Sequence, residues 1–458
     1  MAVQSTERTG TGPQRSPADR AVIRKVTVRL VPILILLNFV NYVDRVNVGF
    51  AATPLSNDLA LTSAAYGLGA GIFFIGYFLF EVPSNVMMHR LGARVWLTRI
   101  ILSWGLVVIG TAFVQGERSF IAVRFLLGVA EAGFFPGILL YLTYWFPARE
   151  RARVFSLFFL SVPLATVLGA PLSALILQYV RIGDIEPWRV MFFVEGLPAV
   201  TLAFVVIKYL PSRPAGAHWL TPDEADRLAL IIEKDRAATR ASKAHVRGRD
   251  VLKNPRVLGL IAVFFGIIYG FYAISFFLTK VIEGLQQRFG THYSPFEVGL
   301  ITAIPCAFAT IAMLLWSRHS DRTGERAWHV ALPCLVGALG VGVALHLGSV
   351  FLIVGALSVA AVGIYSAIPP FWQIPTLWLT EAAAAVGLAL VNSIGNLAGF
   401  AAPYLTGWIH DATGGFETAM FVISGALVGA AVLVVAIAPR RRAEPTPPEV
   451  LALSVPSS

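Results

Sequence analysis

The chain has 458 residues, 56% of them hydrophobic and only 14% charged, with a mean hydropathy of +0.71. That composition excludes a soluble domain and places most of the chain in lipid. The formal net charge of +10 does not point to nucleic acid, because the basic residues are spread over alternate loops rather than gathered on one domain.

A bilayer core about 30 Å thick requires a helix of roughly 20 mostly apolar residues. Twelve such segments are read along the chain, at 30–52, 63–88, 95–115, 119–145, 153–180, 188–210, 254–281, 295–316, 327–346, 349–372, 382–409 and 415–438. Runs such as Val257 to Phe277 are apolar on every face, which argues for helices over the alternating strands of a transmembrane barrel. The expected fold class is therefore an all-α membrane protein with twelve transmembrane helices. The first apolar segment ends in Asp44 and Arg45 rather than a small-residue cleavage site, so it is expected to be retained.

The loops are read from their charges. Arg24, Lys25 and Arg29 precede helix 1, Arg90 and Arg94 follow helix 2, and Arg149, Arg151 and Arg153 follow helix 4. Arg318, Arg322 and Arg326 follow helix 8, and Arg440 to Arg442 follow helix 12. By helix count all these loops share one side, and the excess of Lys and Arg there predicts a multi-pass protein with both termini in the cytoplasm. Short loops suit a bacterial inner membrane. Cys306 and Cys334 fall within predicted helices, where small apolar packing is the expected role.

The chain divides into a cytoplasmic tail at 1–29, a six-helix bundle at 30–210, a polar linker at 211–253, a second bundle at 254–438 and a tail at 439–458. Within the linker, TPDEADRLALIIEKDR predicts a surface helix with Thr221 as N-cap, Pro222 at the first helical position and Glu224 completing a capping box. A structural connector is the expected role of this helix, ahead of a partner-binding one. An internal repeat supports two halves. HRLGARVW follows helix 2 and DRTGERAW follows helix 8, so that Arg90, Gly92, Arg94 and Trp96 each match Arg322, Gly324, Arg326 and Trp328 at a constant offset of 232 residues. Two pseudo-symmetric six-helix bundles suit a rocking transporter, in which the substrate sits between the halves near the midplane.

An ionisable group in a spanning helix costs about 2.5–3.5 kcal/mol on insertion scales, so those that remain face a cavity or a partner. Asp44 and Arg45 in helix 1, with Arg124 and Glu131 in helix 4, stand out. Arg124 and Glu131 are seven residues apart and share one helix face, and their depths match those of Asp44 and Arg45. A polar cluster between helices 1 and 4 is expected in the first half alone, because the offset position of Glu131 is Gly363. Adjacent Asp44 and Arg45 point about 100° apart, so one can meet a partner helix and the other the cavity. Loss of water disfavours a charged carboxylate, so a carboxyl that alternates between water and protein can bind and release a proton. A guanidinium offers two parallel hydrogen bonds to a substrate carboxylate. The competing reading is an ion-pair network that merely holds two helices together.

The paired basic loops resemble the signature of the major facilitator superfamily. Further segments resemble its anion:cation symporter family: NYVDRVNVGFA, GYFLFEVPSNVMMHRLGARVW, RFLLGVAEAGFFPG and YWFPARERAR. GLALVNSIGNLAGFAAPYLTGW is most similar to the branch of tartrate-type and hydroxyphenylacetate-type permeases. The resemblance covers residues 25 to 438 and implies the major facilitator fold and proton-coupled symport of a small organic anion. It implies that Arg45 binds the substrate carboxylate, that Asp44 and Glu131 couple the proton and that Arg124 pairs with them. It also places Tyr77, Trp372 and Asn392 at the substrate. Arg90, Gly92, Arg94, Asp321, Arg322, Gly324 and Arg326 match the gating loops, where the family's usual Asp is replaced by His89 in the first copy and kept as Asp321 in the second.

Taken by themselves, Tyr77 and Trp372 read equally as packing or interface anchors, and Asn392 with Asn396 as interhelical glue. Glu81 and Glu195 are expected towards the cytoplasmic side, paired with loop arginines. Val162 stands where sugar-acid transporters carry a polar amide, which with Phe73, Phe74, Tyr269 and Tyr272 keeps an aromatic acid in competition with a sugar acid. No metal-ligand spacing, phosphate-binding loop or nucleophile and base arrangement is found, so no enzyme, cofactor or metal is expected. The expected partners are an organic anion, protons and the bilayer, with a monomeric chain and no nucleic acid. A facilitator or exporter of organic anions, or a transporter-like metabolite receptor, are the alternatives.

Overall fold

The structure, a computed structural model, describes residues 16–241 and 253–438 apart from 160, 345, 379 and 380. The predicted tail residues 1–15 and 439–458, with Arg440 to Arg442, and linker residues 242–252 lie outside the described residues.

Among the described residues, twelve helical stretches are long and apolar enough to cross a bilayer. In chain order, spans 1 to 6 are Pro17–Phe50, Ser63–Leu91, Ala93–Thr111, Glu117–Trp145, Leu157–Tyr179 and Pro187–Tyr209. Spans 7 to 12 are Pro255–Gln286, Pro295–Thr323, Ala327–Ala344, Val350–Pro375, Gly387–Thr413 and Glu417–Ile437. They form two six-helix bundles that meet through spans 1 and 7, 2 and 11, and 5 and 8.

Span 1 begins at Pro17, well ahead of the hydropathic boundary at 30, because Ser16 and Asp19 form a capping box that starts a helix in the polar flank. Span 4 is interrupted: one helix ends at Glu131 and the next begins at Phe134. Gly133 turns the chain with φ +85, and a Cβ there would lie 2.3 Å from Ser84 Oγ of span 2. Only glycine permits both the turn and that approach.

The linker helix runs Pro222–Ala241, and Thr221 and Glu224 exchange the expected cap bonds at 2.9 and 3.2 Å. Lys25 bonds Glu224 at 2.6 Å, Arg227 bonds Asp19 at 3.3 Å and Arg151 lies 3.6 Å from Asp235. The Lys25 ammonium holds the Glu224 carboxyl below the usual carboxylate range. All three pairs tie the linker to the first bundle, which is the work of a connector. This end of the molecule is called the linker face here, and the opposite end the far face.

The far face is closed by contacts between the bundles. Asp411 at the end of span 11 accepts from the backbone amides of Ser63 and Ala64 at 3.1 and 2.7 Å, capping span 2 from the other half. Lys280 of span 7 donates to Ser56 at 3.0 Å, and Thr53 donates to Glu283. Tyr66 donates to the Val48 and Phe276 carbonyls at 2.9 and 3.1 Å, joining spans 1, 2 and 7. A Cβ on Gly67 would sit 2.1 Å from the Pro403 carbonyl oxygen, so the backbones of spans 2 and 11 touch there.

Candidate substrate and coupling site

The centre of the first bundle holds all four charges marked in the sequence. Asp44 and Glu131 are fully buried, Arg124 is 1% exposed and Arg45 is 9% exposed. Arg45 Nη2 lies 2.9 Å from Glu131 Oε2. Asn41, four residues earlier and therefore on the same face of span 1, donates to the same oxygen at 2.8 Å. Asp44 turns the other way and accepts from the Trp104 indole of span 3 at 2.8 Å. The two adjacent charges thus serve different neighbours, as their angular offset requires.

Arg124 departs from the expected role. Its guanidinium stands 5.4 Å from the Phe73 ring centroid, Nε and Nη2 are buried without hydrogen-bond partners, and among the described residues it forms no ion pair. Arg45 holds Glu131 instead. Glu131 Oε1, Asp44 Oδ1 and Arg45 Nε are also buried without partners. Such orphaned atoms are costly to keep dry, and they are concentrated on spans 1 and 4 at the centre of the first bundle.

Aromatic rings surround Arg45. Its guanidinium lies 5.2 Å from the Tyr42 ring, 5.1 Å from Phe73 and 5.4 Å from Tyr77. Tyr272 of span 7 stands beside it from the second half and packs 4.5 Å from Phe74. The sequence-marked residues of the second half form a separate group: Trp372 meets Phe264 edge-on at 4.7 Å, and Asn396 donates to Asn392 at 3.0 Å. The two asparagines bond each other within span 11. Val162 is 6% exposed.

Two acids differ from expectation. Glu195 is not paired with a loop arginine and lies in the far-face part of span 6, accepting from Ser173 at 2.6 Å and Asn47 at 3.0 Å. Glu81 does lie towards the linker face, but its recorded partner is Ser393 of span 11 at 3.4 Å rather than an arginine. Asn41, Asn47, Trp104 and Ser173 were not marked by the sequence reading. The recurrence of Asn41, Asp44 or Arg45, and Asn47 every three or four residues in span 1 is the signal that could have found the first two.

The paired loops share backbone form and differ in bonding. Gly92 and Gly324 both have positive φ, +85 and +68. In the second loop Arg326 bonds Asp321 at 3.1 Å and Ser320 at 2.6 Å, and Gln373 also donates to Asp321 at 3.1 Å. In the first, where His89 replaces the acid, Arg94 donates to the Ile207 carbonyl and its amide reaches Ser212 at 3.2 Å. Arg90 and Arg322 have no recorded ion pair among the described residues.

A sequence profile described as Major Facilitator Superfamily matches residues 34–375 and 281–454. The chain belongs to the major facilitator superfamily. This facilitator is 46% identical over 91% of its length to 95% of a protein of Agrobacterium vitis named "Putative tartrate transporter". It is 39% identical over 89% of its length to 92% of the "Quinolone resistance transporter" of Acinetobacter baumannii. It is 38% identical over 89% of its length to 94% of "Inner membrane transport protein RhmT" of Escherichia coli strain K12. Among solved structures, a D-xylose-proton symporter matches with a TM-score of 0.71 at 16% identity, covering 90% of this chain and 98% of the other. At that identity the likeness establishes the fold alone. The protein is a multi-pass membrane transporter, and its tartrate-type motif in span 11 agrees with these relatives.

Proposed function

We propose that this protein is a secondary active transporter that takes up a small organic anion, tartrate or a related carboxylate, together with a proton. The observation that carries the proposal is the Arg45–Glu131 bond at 2.9 Å, in which the arginine side chain is 11% exposed and the acid fully buried. A substrate carboxylate arriving at Arg45 competes for the guanidinium that holds Glu131. Once released, Glu131 is a buried acid without its cation, and protonation removes the cost of that charge. Substrate and proton are coupled because each favours the arrival of the other.

In this reading Arg45, Tyr77, Trp372 and Asn392 meet the substrate, Asp44 and Glu131 carry the proton, and Arg124 is the unpaired cation available to either acid. Arg90, Gly92, Arg94, Asp321, Arg322, Gly324 and Arg326 form the linker-face loops that part as the halves rock. The proton is the sole coupling ion, the chain acts as a monomer, and both termini lie in the cytoplasm of a cell with this protein in its inner membrane. The charge asymmetry of the loops supports that orientation.

The test is uptake by purified protein in liposomes under an acid-outside gradient, with tartrate, aldonates, aldarates, hydroxyphenylacetate and phthalate. Gradient-accelerated uptake of at least one acid is expected, and no flux of any of them in either gradient direction removes the proposal. Export is the second reading, favoured by the relative named for quinolone resistance. It predicts net efflux under the opposite gradient.

A further inference from the structure

Span 6 contains a buried acid that the Arg45–Glu131 exchange does not use. Glu195 is 5% exposed. Its Oε1 contacts Ser173 Oγ at 2.6 Å and its Oε2 contacts Asn47 Nδ2 at 3.0 Å. Neither partner is charged, and among the described residues Glu195 forms no ion pair. The interior of the first bundle therefore holds three acids, Asp44, Glu131 and Glu195, against two arginines. An ionised carboxyl without a cation in such a place costs several kcal/mol. A serine hydroxyl accepts as readily as it donates, so the observed geometry also satisfies a protonated Glu195.

The neighbours of Glu195 set out a direction. Asn47 lies three residues beyond Asp44 on span 1, on an adjoining face, and Asn47 Oδ1 and Asp44 Oδ1 are both buried without a donor. Glu195 lies in the far-face half of span 6, a little short of its middle, and Ser173 lies near the far-face end of span 5. Asp44 follows, and then Glu131, towards the middle. On span 1, Asp44 lies close enough to Glu195 for their charges to interact, and span 5 presents Ser173. Span 3 meets span 6 through Gly105 and Gly196 and keeps Arg94 and Arg99 at its linker-face end, with Arg99 bonded to the Ala130 carbonyl at 3.4 Å.

We propose that Glu195 is a further proton-binding carboxyl of the transport cycle beside Asp44 and Glu131, loaded from the far face and discharging through water to Asp44 Oδ1, with Asn47 holding Glu195 in place. The proposal rests on the proton-coupled reading above. The proton leaves a Glu195 oxygen, passes along water and ends on Asp44, leaving a carboxylate at Glu195 until the next proton enters from the far face.

The experiment uses the full chain in liposomes with the membrane potential clamped, tartrate as probe, and proton and tartrate fluxes recorded together. Glu195→Gln keeps the shape and both hydrogen-bond partners but binds no proton. Gradient-driven tartrate uptake and the proton flux that accompanies it are expected to slow together by about a hundredfold, while tartrate counterflow without a gradient is unchanged. An infrared difference spectrum between acidic and alkaline buffer should lose one carboxylic acid carbonyl band in the variant. An unchanged rate of gradient-driven uptake or an unchanged band overturns the proposal. Wild-type protein without gradient-driven uptake would instead remove the coupling reading, and the infrared comparison alone would then decide whether Glu195 titrates. Should Glu195→Gln not fold, Ser173→Ala is expected to move the titration of the same band, and no movement overturns the assignment.

Discussion

Arg45 Nη2 and Glu131 Oε2 are 2.9 Å apart, so the cation proposed to meet an incoming anion is already bonded to a buried acid of span 4. A charged hydrogen bond of this kind is worth about 1.5–3 kcal/mol. Arg45→Ala is therefore expected to weaken tartrate binding by about tenfold to a hundredfold. Titration calorimetry on the purified protein measures this directly, and unchanged affinity would show that the arginine is only a structural partner of Glu131.

Glu131→Gln retains a hydrogen-bond acceptor for Asn41 and Arg45 but cannot alternate its charge. Loss of gradient-driven accumulation with counterflow intact is the expected pattern. Isotope exchange and net uptake in the same vesicles separate the two, and normal accumulation in the variant would take Glu131 out of the coupling path.

Asp411 caps the first turn of span 2 from the opposite half. A helix cap contributes about 1 kcal/mol, so Asp411→Ala should shift the balance away from far-face closure by about fivefold. A cysteine introduced at Thr53, which bonds Glu283 across the closed far face, should then react faster with a membrane-impermeant thiol reagent on that side. Equal labelling rates with and without Asp411 would dismiss the cap as a latch.

A Cβ at Gly67 would lie 2.1 Å from the Pro403 carbonyl oxygen, a separation that forces the backbones of spans 2 and 11 apart. Gly67→Val is expected to hold the far face open and to abolish net transport while leaving a folded, monodisperse protein. Wild-type transport rates in this variant would contradict the tight packing of these two spans.

The all-helical fold and its division into halves were legible because lipid imposes a length and a composition on every span. HRLGARVW and DRTGERAW marked the repeat, and the loops they form share a positive-φ glycine. The charged cluster was legible for a related reason: an ionisable group in a spanning helix is so costly that Asp44, Arg45, Arg124 and Glu131 had to have a use or a partner. Which partner each has was not legible. Arg45 rather than Arg124 holds Glu131, and Glu195 bonds Ser173 and Asn47 rather than a loop arginine, because these choices depend on helix rotation and depth to within a fraction of a turn.

By itself, the sequence determined the spans and the confinement of buried charge to the first half, since hydropathy and charge are properties of the chain read one residue after another. The tertiary structure decided that Tyr272 of the second half stands beside Arg45 and that Asp411 of span 11 caps span 2. It also decided that Glu195 sits without a cation on the far-face side of Asp44. Those relations join residues far apart in the chain, and only the packing of one bundle against another brings such groups within the few ångströms over which hydrogen bonds and ion pairs act.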